Sequence, residues 1–335
     1  MTNPKILIIG AGAVGGITAA ILKNAGYDIH LVCKYPELAE KISNEGIFAF
    51  GVCGEIKITI PSVDELRELE GKYDLVMMAT KAYVLEEIAR QLDPYLHEGS
   101  RVVSMQNGIC EDKLAAIVGE DRTVGCVVGW GATMHEPGRL EMTSEGEFII
   151  GNWNNQKDDV IIEIKSILEH ILPTKISDNI LSDLYSKLII NSCITTLGAI
   201  SGLYVGEMLA RKKVRNLFIK VIREAIHVAE GMELQVKPYA GKLDYYSFLK
   251  QNFISEIKQH LTIRVIGFKY RKLKSSSLQS LERGGITEVD YFNGYIAKQG
   301  QLTGVSTPVN EQLTQMIKEI EEGKRKISPE NFHEF

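Results

Sequence analysis

The sequence predicts a mixed α/β protein in which a parallel-sheet half is followed by an all-α half. Two observations support this prediction. Short β-rich runs alternate with helical patterns through the first half of the 335 residues, and from about residue 157 onward the pattern is almost wholly helical. Alternating strands and helices are typical of βαβ units. A chain of this length also favours two cores over one, so we expect domains at residues 1–175 and 176–335.

The elements follow from hydrophobic periodicity and from glycine or proline punctuation. Strands are predicted at Lys5–Ile9, Asp28–Cys33, Tyr73–Ala79, Arg101–Met105 and Thr123–Val128, and helices between them at Val14–Asn24, Val84–Leu92 and Asp112–Val118. Residues 139–152 predict antiparallel strands at a sheet edge. Later helices are predicted at 158–171, 180–197, 207–231, 242–265, 275–283, 287–299 and 308–323, with a loose tail after Gly323.

Composition excludes several classes of protein. A net charge of −5 without a basic stripe argues against a nucleic-acid or acidic-membrane partner. The five cysteines are scattered, with no Cys-x-x-Cys pair, which argues against a disulfide framework or a zinc site and for a reducing compartment. No apolar run reaches membrane-spanning length. We therefore expect a cytoplasmic protein without a bound metal.

A glycine-rich turn lies between the first strand and the first helix. Gly10-x-Gly12-x-x-Gly15 has the spacing at which the first glycine permits a tight turn, the second admits a pyrophosphate and the third lets helix and strand pack closely. The helix N-terminus supplies N–H groups for the anion. We expect a Rossmann-type dinucleotide-binding domain, with contacts from Gly10, Ala11, Gly12, Ala13, Val14 and Gly15.

The end of the second strand indicates which dinucleotide binds. A carboxylate there would bind the ribose 2′-hydroxyl of NAD, but this strand ends Val32-Cys33-Lys34, and the next acid is Glu37. Lys34 offers a cation to a 2′-phosphate, which favours NADPH. The alternative is an ordinary solvated lysine.

Two further loops follow predicted strands at their carboxyl ends, where parallel sheets bind ligands. One contains Lys81 in "MMATKAYV" and the other contains Asn107 in "SMQNGIC". Each could be only a turn. Because both loops follow successive strands, they could instead contact the cofactor.

The helical half contains polar residues at unexpected positions. In the otherwise apolar segment "SDLYSKLIINSCITTLGAISG", Lys187, Asn191 and Thr195 stand four apart on one helical stripe. Lys187 alone could be a lysine whose stem lies on apolar surface while its ammonium reaches water. Glu288 could likewise be a residue that complements the dipole of a predicted helix from Thr287.

The chain resembles the 2-dehydropantoate 2-reductase (ketopantoate reductase) family over nearly its whole length. The motifs that carry the resemblance, in family order, are Gly10-x-Gly12-x-x-Gly15, "TKAY", "QNG", "SKLIINSCIT", "SSSLQSLERGGITEVDYFNGYI" and "GVSTPVN". It implies a Rossmann domain followed by a helical domain, with the active site in the cleft, and the NADPH-dependent reduction of a small keto acid.

The resemblance also implies residue roles. Lys187 and Glu288 match the catalytic lysine and glutamate. On the cofactor side, Lys34 matches the residue for the 2′-phosphate, Lys81 matches a lysine of the cleft, and Asn107 matches an asparagine near nicotinamide and substrate. The matches for substrate binding are Asn191 and Ser276, where three consecutive serines (275–277) leave the register open by one. Thr195 stands where the family commonly has a second asparagine, and residues 236–274 form a longer segment than in compact members.

Three hypotheses remain open from the sequence. The first is an NADPH-dependent ketopantoate reductase in the pantothenate and coenzyme A pathway. The second is a reductase of another 2- or 3-keto acid on the same two-domain plan, and the third is a non-catalytic NADP-binding sensor. A sensor would have no need of the proton donor that Lys187 provides. The helical half, and the 236–274 segment in particular, could also form a homodimer.

Overall fold

The computed structural model describes residues 3–335. The chain forms two compact units, and the division falls between Leu181 and Ser182. The first unit is a mixed α/β structure and the second is helical, so the predicted fold class is confirmed. Among the residues described, no helix is both long and apolar enough to cross a membrane.

The first unit contains two sheets. Its strands are β1 (Lys5–Ile9), β2 (Asp28–Val32), β3 (Ile47–Gly51), β4 (Ile56–Ile58), β5 (Ser62–Val63), β6 (Tyr73–Met78), β7 (Leu96–Ser104), β8 (Thr123–Val128), β9 (Gly131–Glu136), β10 (Arg139–Ser144), β11 (Phe148–Asn152) and β12 (Thr174–Ile176). The larger sheet has the order β12-β11-β8-β7-β6-β1-β2-β5, and the smaller has the order β4-β3-β10-β9. The five predicted strands lie side by side in the larger sheet and pair in parallel.

The helices of the first unit connect these strands. They are α1 (Ala13–Asn24), α2 (Pro36–Asn44), α3 (Leu85–Ala89), α4 (Glu111–Val118) and α5 (Asp159–Leu168). The inner strands are apolar and almost wholly buried, as both faces of a parallel sheet require. Since the carboxyl ends of β7, β6, β1 and β2 share one edge, the loops after these strands lie together there.

The predicted edge position of residues 139–152 is wrong, although the antiparallel pairing is right. Strand β10 belongs to the smaller sheet, where it pairs with β9, while β11 pairs with β8 in the larger sheet and has β12 outside it. The chain changes sheets at Gly146, where a Cβ atom would lie 2.1 Å from the carbonyl oxygen of Gly129. Only two glycines permit this close crossing of backbones.

The second unit contains seven helices among the residues described. They are α6 (Ile180–Ser201), which begins two residues before the division, α7 (Val205–Ala210), α8 (Lys212–Gly231), α9 (Phe253–Lys269), α10 (Ser276–Glu282), α11 (Asn293–Thr303) and α12 (Pro308–Glu321). The helix predicted at 207–231 is broken at Arg211, whose backbone is extended. The helix predicted at 242–265 begins only at Phe253, because Asn252 caps it by accepting a hydrogen bond from the Ser255 N–H at 2.9 Å.

The residues after Gly323 are ordered, so the prediction of a loose tail is wrong. A 3₁₀ turn at Pro329–Glu334 buries Phe332. The Ile200 carbonyl, near the end of α6, accepts hydrogen bonds from the backbone N–H of Ser328 at 3.0 Å and from the side chain of Asn331 at 3.2 Å. The charged composition suggested a solvated tail, but these hydrogen bonds, the burial of Phe332 and an ion pair between Arg325 and Glu319 of α12 hold it against the second unit.

Candidate active site

The glycine-rich turn joins β1 to α1 in the geometry that a dinucleotide requires. Gly10 has φ of +109°, and a Cβ atom there would lie 2.8 Å from the Ala79 carbonyl oxygen. A Cβ on Gly15 would lie 2.0 Å from the Gly10 carbonyl oxygen, so neither glycine can be replaced without moving backbone. At Gly12, the N-cap of α1, a Cβ would meet nothing within 4 Å in the described chain. The backbone is therefore tightly packed at Gly10 and Gly15, but there is free space next to Gly12. This space could accept a pyrophosphate.

The other residues of this turn differ in their exposure to solvent. Ala11 is buried beneath the turn, whereas Ala13 and Val14 form the partly exposed first turn of α1. The Gly10 N–H donates to the Val32 carbonyl at 2.8 Å, which fastens the turn to the end of β2. Lys34 is exposed two residues beyond that bond, so it lies beside the turn.

The end of β2 has an acidic residue, Asp64, on the neighbouring strand's side. Asp64 follows β5, the neighbour of β2, and its carboxylate is close enough to Cys33 to contribute to the pKa of that thiol. Burial is the larger cause, and the pKa of Cys33 is raised to about 12. The thiol therefore stays neutral, and Lys34 and Asp64 are residues of opposite charge that follow the neighbouring strands β2 and β5.

The loops that contain Lys81 and Asn107 are joined by side-chain hydrogen bonds. The Gln106 amide donates to the Thr80 hydroxyl at 3.0 Å, and the Ser104 hydroxyl donates to the Gln106 carbonyl oxygen at 3.1 Å. Lys81 is exposed and Asn107 is partly exposed. The structure thus holds these two predicted residues on adjoining loops at the sheet edge that also contains the glycine turn.

A buried carboxyl group beside this network was missed from the sequence. Glu111 begins α4 and is 0% exposed; its Oε2 accepts a hydrogen bond from the Cys110 N–H at 2.9 Å. Its Oε1 has no hydrogen-bond partner among residues 3–335. Burial raises the pKa of Glu111 to about 7, although backbone N–H groups and Ser104 oppose the shift. The sequence showed only a glutamate next to a predicted helix start. Such glutamates are usually exposed, so nothing indicated that this one is buried.

The predicted polar stripe of α6 is the accessible side of a buried helix. Between Ser182 and Ser201 only Asp183, Lys187, Asn191 and Ile194 are partly exposed, and all four lie on one stripe. Asp183 is paired with Lys237 at 2.7 Å. Lys187 and Asn191 therefore lie outside the buried sides of the helix, which are mostly apolar.

Thr195 differs from the other two residues of the stripe because it is only 5% exposed. Its neighbour Thr196 points into the unit and donates to the Asn293 side chain at 2.5 Å. Asn293 in turn donates to Asn310 at 2.9 Å, and the Asn310 amide donates to Glu224 at 2.7 Å. This buried chain of side chains gives the asparagines of "YFNGYI" and "GVSTPVN" structural roles.

The three consecutive serines are placed differently from one another. Ser276 is exposed on the first turn of α10, whereas Ser275 is buried as the N-cap and accepts from the Leu278 N–H at 3.3 Å. A Cβ on Gly198 of α6 would lie 2.7 Å from the Ser275 hydroxyl oxygen. Ser275, and not Ser276, therefore packs against the helix that contains Lys187.

Glu288 is buried, at 5% exposure, and it does not lie in the first turn of an α-helix. The helix predicted at 287–299 begins at Asn293, because Val289–Tyr291 form a 3₁₀ turn. Thr287 donates its N–H and its hydroxyl to Glu321 at 2.7 Å each. The helix-dipole interpretation of Glu288 loses its basis.

Two depressions on the surface of the first unit lie away from these residues. One, with a volume of about 330 Å³, is lined by residues that include Cys53, Met142 and Leu172, and it contains none of the predicted site residues. The strand-end loops carry polar side chains beside backbone geometry suited to a ligand, and the α6 stripe carries accessible polar side chains.

The glycine turn on a parallel sheet, followed by a helical unit, defines the class of two-domain dinucleotide-dependent oxidoreductases. Within that class the chain belongs to the ketopantoate reductase PanE/ApbA family. Residues 6–155 match the family model "Ketopantoate reductase PanE/ApbA", and residues 179–321 match the model of its C-terminal part.

Individual relatives agree with this assignment. The chain is 30% identical over 330 residues to a 2-dehydropantoate 2-reductase of Pyrococcus abyssi, covering 96% of this chain and 100% of that protein. A PanE/ApbA family ketopantoate reductase from Ralstonia eutropha JMP134 has the same fold, with a TM-score of 0.82 at 24% identity and coverage of 96% and 99%. A D-mandelate dehydrogenase with NADH and anilino(oxo)acetate also shares the fold, with a TM-score of 0.82 at 22% identity and coverage of 95% and 99%.

Proposed function

We propose that this protein reduces 2-dehydropantoate to pantoate with NADPH, as a step of pantothenate biosynthesis. The observation that carries the proposal is the α6 stripe, where Lys187 and Asn191 are accessible on an otherwise buried helix, beside Asp183, which is paired with Lys237. Membership of the family and the full-length relatives named 2-dehydropantoate 2-reductase support the choice of substrate.

In this proposal residues 1–175 hold the cofactor. The pyrophosphate lies above Gly12, where the N–H groups of α1 and its dipole favour an anion. Lys34 binds the 2′-phosphate, while Lys81 and Asn107 contact the cofactor from the two joined loops. Bound NADPH would supply the hydride that reduces the ketone carbon of the substrate.

Residues 176–335 hold the substrate and the proton donor. Negative charge develops on the ketone oxygen during reduction, and the Lys187 ammonium stabilises that charge and donates a proton to the oxygen. Glu288, a buried carboxylate, keeps the ammonium charged and orients it. Asn191 and Ser276 supply directional hydrogen bonds to the polar groups of the keto acid, with Ser275 the alternative at this position.

We further propose that the protein works in the cytoplasm. No cysteine among residues 3–335 forms a disulfide, and four of the five are buried. A reducing compartment keeps thiols in this state.

The test is oxidation of NADPH in the presence of a panel of 2- and 3-keto acids. We expect turnover with 2-dehydropantoate, and at least about a hundredfold lower turnover in Lys187→Ala, the usual scale for a positioned proton donor. Lys220→Ala, at an exposed position on α8, is the matched control and should keep wild-type turnover. A Lys187→Ala variant that retains most of its turnover would contradict the proposed mechanism.

A second candidate function keeps the reaction and changes the keto acid. Thr195 favours it, because a buried threonine hydroxyl is shorter than an amide and cannot both donate and accept across the same distance. If the substrate is 2-dehydropantoate, Thr195→Asn should equal or improve efficiency, since an uncompensated hydrogen bond costs about 1–3 kcal/mol. A wild type that ignores 2-dehydropantoate but reduces another keto acid would replace the first candidate with the second.

A further inference from the structure

Asp183 is a poorly exposed acid that lies one helical turn before the proposed proton donor. It is on the same stripe of α6 as Lys187, and only 10% of its side chain is exposed. A carboxylate with so little access to water requires a cation or several hydrogen-bond donors. Which cation it takes therefore matters for the chemistry of the stripe.

Lys187 is well placed along α6 to pair with Asp183. Residues four apart are neighbours on a helix, and an acid N-terminal to a lysine is the favourable order for an ion pair at this spacing. Long helical side chains also lean toward the N-terminus of their helix, which directs the stem of Lys187 toward the turn that contains Asp183. An ammonium held by this acid would be drawn away from Asn191, which lies one turn in the other direction.

A second lysine, from outside α6, pairs with Asp183. The Lys237 Nζ lies 2.7 Å from the Asp183 Oδ2. The Lys237 N–H donates to the Ser182 hydroxyl at 3.1 Å, and this hydroxyl donates to the Gln235 carbonyl at 2.6 Å. Val236, between them in the chain, is buried. Contacts that involve neither charge therefore hold Lys237 beside Asp183.

We propose that Lys237 is a positioning residue, which occupies the Asp183 carboxylate and so keeps it from drawing the Lys187 ammonium away from the substrate. This proposal rests on the proposed role of Lys187 as the proton donor. The charges of Asp183 and Lys237 offset one another, and the ammonium of Lys187 stabilises the negative charge that develops on the ketone oxygen. Without Lys237, the acid would compete with that oxygen for the ammonium.

Two other roles for the ion pair lead to different expectations. If the pair only fastens residues 235–237 to α6, removal of either partner breaks the same contact, and removal of both is no better than removal of one. If Lys237 itself binds the carboxylate of the keto acid, its removal raises KM, and a second change at Asp183 restores nothing.

The first test is steady-state oxidation of NADPH with 2-dehydropantoate by variants of the full-length protein. In Lys237→Ala we expect kcat to fall by about fivefold, the effect of one partly exposed ion pair, while KM changes by less than about twofold. The double variant Asp183→Asn, Lys237→Ala should recover most of the lost kcat, because no acid then remains at that position. Lys165→Ala is the matched control and should keep wild-type kcat. Lys165 is paired with Glu169 on α5, and its side chain is 33% exposed, against 39% for Lys237.

The second test requires no turnover. It follows the acetylation of Lys187 by limiting acetic anhydride at a fixed, mildly alkaline pH, with mass spectrometry of the peptide. Acetylation needs the neutral amine, and an ion pair favours the charged form. We expect Lys187 to react about threefold or more slowly in Lys237→Ala than in the wild type, and to regain the wild-type rate in the double variant.

An unchanged kcat in Lys237→Ala, a double variant no better than Lys237→Ala, a rise in KM alone, or an unchanged rate of acetylation would each overturn the proposal. The proposed function fails by a different result, which is a Lys187→Ala variant that retains its turnover. If the wild type does not reduce 2-dehydropantoate, the acetylation rates still decide whether Lys237 keeps Asp183 from Lys187.

Discussion

Glu111 shows how one buried residue can make the stability of this protein depend on pH. Its carboxyl group is wholly enclosed at the start of α4, and one of its oxygens has no hydrogen-bond partner within residues 3–335. The folded protein therefore favours the protonated form, and the pKa is raised to about 7 from the ordinary value of 4.5. Between these two pH values the folded state binds more protons than the unfolded state, so stability falls as pH rises.

Glu111→Gln should remove this dependence. The amide stays neutral at all pH values, so the variant should gain stability over the wild type above pH 7, by as much as roughly 3 kcal/mol. Below about pH 5 the two proteins should differ little, since the wild-type group is then protonated in the folded state. Urea unfolding at several pH values measures the difference. Glu120→Gln, on an exposed 3₁₀ turn, is the control and should show no such trend. An equal stability change at all pH values would mean that Glu111 is not protonated on folding.

At the scale of elements, the start of α12 is held by a residue from another helix. Glu224 of α8 accepts hydrogen bonds from the N–H groups of Val309 and Asn310, both at 2.9 Å. These are orphan donors of the first turn, and a carboxylate also suits the dipole at that end. The same carboxylate holds Asn310, and through it Asn293 and Thr196, so three helices share one polar connection with α6.

Glu224→Ala should therefore destabilise the protein by about 2–3 kcal/mol, because several buried donors lose a charged acceptor. The matched control is Glu230→Ala on the same helix. Glu230 is exposed and paired only with His227 among the ion pairs of the described chain, so its loss should cost at most about 1 kcal/mol. Chemical denaturation of both variants gives the comparison. Equal losses would show that the connection to α12 contributes little.

At the scale of the whole molecule, the division into two compact units means that a bound cofactor should change the unfolding of one unit more than that of the other. If NADPH binds only the folded first unit, a concentration of one hundred times Kd stabilises that unit by about 2.7 kcal/mol. The effect should appear in calorimetry as an upward shift of the transition that belongs to the first unit.

Lys34→Asp should abolish most of the shift caused by NADPH and leave the shift caused by NADH almost unchanged, because a charge-assisted contact to the 2′-phosphate is worth roughly 1.5–3 kcal/mol. Asp64→Asn, which removes the nearby acid, should change the NADPH shift in the opposite direction. Equal losses with both dinucleotides in Lys34→Asp would remove Lys34 from the phosphate site.

Local patterns were sufficient to predict the parallel strands, the glycine turn and the accessible positions of Lys187 and Asn191 on α6, because each depends on residues close in the chain. The same pattern placed Thr195 on that stripe, but Thr195 is buried. The smaller sheet was not predictable in this way. It pairs Phe48 with Arg139, which are far apart in sequence, and no periodicity reports such a pairing. Burial of Glu111 and Phe332, and the choice between Ser275 and Ser276, likewise depend on what the rest of the fold places around them.

The small accessible area of α6 limits how this helix can vary during evolution. Of the residues from Ser182 to Ser201, all but four are buried, and two of those four are the lysine and the asparagine of the proposed site. Substitutions at buried positions alter packing, and substitutions at Lys187 or Asn191 would alter the proposed site. We therefore expect α6 to tolerate few substitutions. Sequence differences in the second unit should be more frequent in helices with more exposed residues.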